Sequence, residues 1–94
     1  LPTEFALRQN YPNPFNPSTQ IQYALPEETR VTISIYDLMG RKVRTLVNDV
    51  QDAGYRTVIW NATNDMGRLV SAGVYIYSIR AGDFIQNRKM VLMK

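Results

Sequence analysis

The sequence contains neither cysteine nor histidine. Without cysteine there is no disulfide framework, no thiolate metal site and no sulfur nucleophile. Without histidine the commonest general base and the commonest metal ligand are missing, and so is any Ser-His-Asp arrangement. Carboxylates, tyrosines and lysines are what remain for acid–base work. No apolar run approaches the ~18 residues that a membrane-spanning helix needs. No stretch carries a convincing helical period either. Leu1 is not an initiator methionine, and no basic, apolar, small-residue leader follows it, so the chain reads as a piece of a longer protein or a mature product. Its 94 residues, 45% hydrophobic and 20% charged, fit one compact domain held together by packing alone.

What is present is period-two alternation. Ile21, Tyr23 and Leu25 alternate with Gln20 and Gln22, and Val31, Ile33 and Ile35 with Thr32 and Ser34. Such runs, rich in β-branched and aromatic residues, are half-buried strands. The same pattern predicts strands over 43–47, 55–60, 74–80 and 84–93, with a short one over 4–7. The sum is about seven strands, which predicts an all-β chain forming a single immunoglobulin-like antiparallel β-sandwich. Gly40, Gly54, Gly67, Gly73 and Gly82 all fall between these candidates. Asp37-Leu-Met-Gly40 and Asn64-Asp-Met-Gly67 each read as a turn that opens on a side-chain acceptor and closes on a left-handed glycine.

Residues 11–18, Tyr-Pro-Asn-Pro-Phe-Asn-Pro-Ser, cannot form a central strand, because each proline lacks an N–H and holds its predecessor extended. An ordered extended loop is expected, with Tyr11 and Phe15 as apolar anchors and asparagine side chains satisfying the backbone. Residues 1–18 then form an N-terminal strand and loop, and residues 19–94 the sandwich body.

Chemistry finds little purchase. Glu27 and Glu28 are adjacent in a turn after Pro26, where neighbouring side chains diverge into water and keep ordinary pKa values. Asn61-Ala-Thr-Asn-Asp65 is dense in oxygen but lacks the closing glutamate of a calcium loop, and turn capping accounts for the same residues. Net charge is +3; no acid follows Asp83, while Arg88, Lys89 and Lys94 do. That small excess is too weak for a phosphate-tracking surface, and no nucleic-acid partner is expected. Trp60 ends a strand and is expected to fill the sandwich. No catalytic residue, cofactor or metal site is assigned.

The order of residues across nearly the whole chain resembles a known family. Leu7, Gln9-Asn-Tyr-Pro-Asn-Pro-Phe-Asn-Pro17 and Thr19-x-Ile21-x-Tyr23-x-Leu25-Pro26 look like the opening of the C-terminal sorting domain of type IX secretion cargo. Tyr36-Asp37, Gly40-Arg41, Ala53-Gly54, Trp60, Gly73-Val74-Tyr75-x-Tyr77 and the terminal Lys89-Met-Val-Leu-Met-Lys94 continue it. The middle alone also fits the related immunoglobulin-like domain of flagellar hook-capping proteins. The chain departs from the family after the tryptophan, where Asn61-Ala-Thr-Asn-Asp65 replaces an Asp-Gly-x-Asp form.

The resemblance implies a non-catalytic address that, after export to the periplasm, directs a larger upstream cargo across the outer membrane of Bacteroidetes-related bacteria. A secretion translocon reads it, and a sortase-like peptidase joins the cargo to the cell surface. The resemblance places recognition on Gly73, Tyr75, Lys89, Met90, Val91 and Lys94, with Asn10, Pro12, Asn13, Pro14 and Phe15 in the opening motif. Packing suggests other roles for some of these: a backbone turn for Gly73 and a corner tyrosine for Tyr75. Two further functions remain open, a structural spacer or assembly module and an accessory carbohydrate-binding domain using Trp60 or an exposed tyrosine. A last strand at the sandwich edge is expected to offer unpaired backbone groups to a receptor strand, with Lys89 and Lys94 on opposite sides. Removing residues 89–94 is then expected to abolish sorting of a fused reporter and leave the rest folded.

Overall fold

The computed structural model describes residues 1–93. Seven antiparallel strands follow in order: β1 (Ala6–Leu7), β2 (Thr19–Leu25), β3 (Thr29–Asp37), β4 (Lys42–Gln51), β5 (Gly54–Trp60), β6 (Gly73–Ala81) and β7 (Phe84–Leu92). They form a three-stranded sheet, β1-β2-β5, and a four-stranded sheet, β4-β3-β6-β7. The adjacency of β3, β6 and β7 is that of the C, F and G strands of an immunoglobulin sandwich. No helix long and apolar enough to cross a membrane occurs among the described residues.

Alternation decides which side chains meet. Ile21, Tyr23 and Leu25 of β2 face Val31, Ile33 and Ile35 of β3 together with Tyr77 and Ile79 of β6, all buried in one core. Trp60 is fully enclosed, with the Tyr75 ring 5.3 Å and the Phe15 ring 5.8 Å away, centroid to centroid. Each large aliphatic or aromatic group so buried is worth roughly 1.5–3 kcal/mol. Met90 and Leu92 of β7 belong to the same core.

Several boundaries differ from the sequence expectation. The first strand is shorter than 4–7, because Phe5 turns to stack on Phe84 at 5.4 Å. β4 runs well past residue 47, because Asn48 and Asp49 sit on an exposed edge where pairing with β3 outweighs their poor strand propensity. Gly54 and Gly73 open β5 and β6 instead of lying outside them, at φ of 150° and 153° that other residues rarely adopt. Both expected turns form alike. Asp37 Oδ1 accepts the N–H groups of Met39 and Arg41, Asn64 Oδ1 those of Met66 and Arg68, and Gly40 and Gly67 close them at positive φ.

Candidate functional site: an opening strap bound to the last strand

Residues 8–17 cross from the three-stranded sheet to the free side of β7. Prolines make this economical, since Pro12, Pro14 and Pro17 have no N–H to satisfy; each follows a cis peptide bond. The remaining polar groups are held by side chains. Buried Asn10 donates its backbone N–H to the Tyr77 hydroxyl at 2.8 Å and its side-chain amide to Thr19 Oγ1 at 3.0 Å. The Tyr77 hydroxyl in turn donates to the Arg8 carbonyl at 2.7 Å, and the Thr19 hydroxyl to the Pro12 carbonyl at 2.8 Å. Burial pushes the Tyr77 phenol above its ordinary pKa, partly offset by the Asn10 N–H and the Arg88 charge.

The strap then runs beside β7. Gln9 Nε2 donates to the Lys89 carbonyl at 2.8 Å, and Asn13 Oδ1 accepts the Val91 N–H at 2.9 Å. The Phe15 N–H donates to the Val91 carbonyl at 3.0 Å, and the Met93 N–H to the Phe15 carbonyl at 2.8 Å. Arg88 Nε adds a bond to the Leu7 carbonyl at 2.7 Å. Phe15, 2% exposed, pins the assembly against Trp60.

This overturns the expectation of an open terminal edge. Val91 points its backbone away from β6, so by alternation Ile85, Asn87 and Lys89 do too. The strap occupies that edge from the Lys89 carbonyl to the Met93 N–H, leaving the Ile85–Asn87 stretch as the part it does not cover. Deleting residues 89–94 also removes Met90 and Leu92 from the core and the partners of the strap, so the remainder is not expected to stay folded.

The residues singled out from sequence thus fall into distinct environments. Lys89 is exposed on the outer face of the four-stranded sheet, opposite Ile76, and Val91 is half-buried beside it. Pro12, Asn13 and Pro14 are exposed along the strap, whereas Asn10 and Phe15 are buried beneath it. Met90 is wholly inside, so its side chain presents nothing at the surface of the folded domain. Tyr75 is a corner tyrosine: buried, it donates its hydroxyl to the Ser71 carbonyl at 2.6 Å and so ties down the loop before β6. Gly73 is exposed at that corner. Lys94 lies outside the described residues.

Gln9 and Arg88 join strap to strand, yet sequence reasoning did not single them out. Gln9 opens the family motif and Arg88 belongs to the basic tail, but no local signal marks their joining role, because their partners lie at the opposite end of the chain. Trp60 is fully enclosed and donates its indole N–H to the Thr63 carbonyl at 2.8 Å, so it offers no sugar platform. The oxygen-rich loop is committed internally: Asn61 Oδ1 accepts the Thr63 hydroxyl, and Asp65 Oδ1 the Thr45 N–H. No cluster of three carboxylates that would hold a metal occurs among the described residues.

The chain is thus an immunoglobulin-like sandwich whose opening segment is bound to its own last strand. Residues 9–93 match the secretion system C-terminal sorting domain family, and the chain belongs to it, the sorting-signal domains of type IX secretion cargo. Two solved structures share the fold. Dimeric latent PorU from Porphyromonas gingivalis superposes with a TM-score of 0.73 at 19% identity, over 93% of this chain and 9% of that one. PorZ, a surface component of the type IX secretion system of the same bacterium, gives 0.64 at 20% identity, over 95% and 12%. The chain therefore spans about a tenth of either neighbour's length. No match was found among the curated proteins.

Proposed function

We propose that the secretion translocon of the outer membrane reads the strap and the last strand together, as one surface. Exposed Lys89 and half-buried Val91 supply one half and exposed Pro12, Asn13 and Pro14 the other. The observation that carries this reading is the set of hydrogen bonds joining the two segments that the family resemblance marks as recognition motifs, Asn13 to Val91 and Phe15 to Val91 and Met93. In this reading the cargo is exported to the periplasm, crosses the outer membrane and is handed to a sortase-like peptidase for attachment to the cell surface. The domain contributes shape and charge, and no catalytic step.

The test is secretion of a reporter fused ahead of the domain. Lys89→Glu reverses an exposed charge that packing does not use, and Gln9→Ala with Asn13→Ala loosens the strap while the tail stays intact. Both are expected to leave the reporter inside the cell, with Lys89→Glu melting as the parent does. Secretion at the parent level by both variants would overturn the composite surface.

A further inference from the structure

The face of the four-stranded sheet that points away from the core carries a groove unrelated to the strap. Cross-strand register sets Thr32 beside Arg80, Ser34 beside Ser78 and Tyr36 beside Ile76. The paired serines are small, and the rows on either side are large, so a trough of about 320 Å³ opens between them. Two bulges in the β3–β4 pairing, at Ile33/Ser34 and Ile35/Tyr36, twist the sheet at this point and bring Lys42 to the rim opposite Tyr36.

The lining is chemically uncommitted. The hydroxyls of Thr19, Thr63, Tyr75 and Tyr77 all bond to protein partners. Those of Thr32, Ser34, Tyr36 and Ser78 have no protein partner among the described residues, and no sealed, unsatisfied polar atom occurs there; Thr32, Tyr36 and Ser78 are half-buried along the groove, and Ser34, 3% exposed, forms its floor. Lys42 and Arg80 stand at its rim without an acidic partner; the one ion pair among the described residues joins Arg41 to Asp37. No carboxylate lines the groove, and Ile85 and the Tyr36 ring give it an apolar flank.

We propose that this groove binds a negatively substituted sugar. Hydroxyls that both donate and accept match the hydroxyls of a saccharide. An apolar flank suits its C–H face. An unpaired cation at each end of the groove, one of them an arginine with a planar fork of donors, suits a phosphate, carboxylate or sulfate group there. An acidic protein surface fits less well, because the cations flank one narrow hydroxyl-lined trough instead of spreading across a broad patch.

The experiment titrates mannose 6-phosphate, mannose and inorganic phosphate separately into the isotopically labelled chain and follows backbone amide shifts. Shifts centred on Ser34, Ser78 and Arg80 are expected, half-complete at a concentration about tenfold lower for mannose 6-phosphate than for either parent. Lys42→Gln with Arg80→Gln, both on the exposed face, is expected to raise that concentration about tenfold without changing the melt, as loss of charge-assisted bonds requires. Lys89 is left unaltered, so binding and sorting are read separately. A lipid bearing the same sugar phosphate in phosphatidylcholine vesicles is expected to compete, which makes the source of the group a lipid headgroup; failure to compete makes it a free glycan, and either accords with the site. Equal response to inorganic phosphate, shifts centred elsewhere, displacement by polyglutamate, or equally tight binding to phosphatidylglycerol vesicles that lack the sugar would each overturn it.

Discussion

Tyr77 joins the opening strap to β6 through a single oxygen. Its hydroxyl accepts the buried Asn10 N–H and donates to the Arg8 carbonyl. Tyr77→Phe keeps the ring and strands the amide, so destabilisation of about 1–3 kcal/mol in urea unfolding is expected. The same group sets an alkaline limit. Burial raises the pKa values of Tyr23, Tyr75 and Tyr77 above the ordinary 10.0. The unfolded chain therefore loses these protons first, and stability that is complete below pH 10 falls as pH rises through the folded values. Tyr77→Phe, lower at neutral pH, is expected to decline less steeply above pH 10. Asp37 acts in the opposite direction. The Arg41 N–H, foremost, and the Arg41 guanidinium hold its carboxylate below the ordinary 3.8, so its contribution is present above that value and disappears as pH falls through the folded one. Asp37→Asn is expected to flatten the acid limb of the same unfolding curve.

At the scale of the element, the strap behaves as an eighth strand made from residues that cannot form one. Asn13→Ala removes one bond to β7 and is expected to cost about 1 kcal/mol. Phe15→Ala empties a site against Trp60 and is expected to cost about 3–5 kcal/mol. Hydrogen exchange distinguishes local opening from global loss. In Asn13→Ala the Val91 and Met93 amides should exchange faster while that of Ile33 in the sheet centre does not. The strands β2, β3, β6 and β7 were legible because alternation is a local property. So were the two Asx-opened turns, whose chemistry fits within five residues. The pairing of Asn13 with Val91 was not legible, since nothing in either segment encodes the other's position. Nor was the groove at Ser34 and Ser78, because Ser34 read as an ordinary polar strand position and nothing local placed it beside Ser78 until register did.

Across the whole molecule, the start and end of the described chain close on one another, and closure determines what the last strand can meet. An unpaired strand edge is a template for another chain. With the strap in place, the Lys89 carbonyl, the Val91 N–H and carbonyl and the Met93 N–H are all taken. Gln9→Ala with Asn13→Ala removes two side-chain anchors without touching a buried apolar group, whereas Phe15→Asp places a charge against Trp60 and expels the strap outright. Both variants are expected to self-associate as concentration rises, Phe15→Asp more strongly, when followed by sedimentation at a temperature where circular dichroism still reports a sheet. A synthetic peptide spanning residues 9–17 should compete for the vacated edge and restore the parent's behaviour. If exchange shows the Val91 and Met93 amides released while the protein sediments as the parent does at every concentration, then the strap's role is core closure through Phe15 and not shielding of the edge.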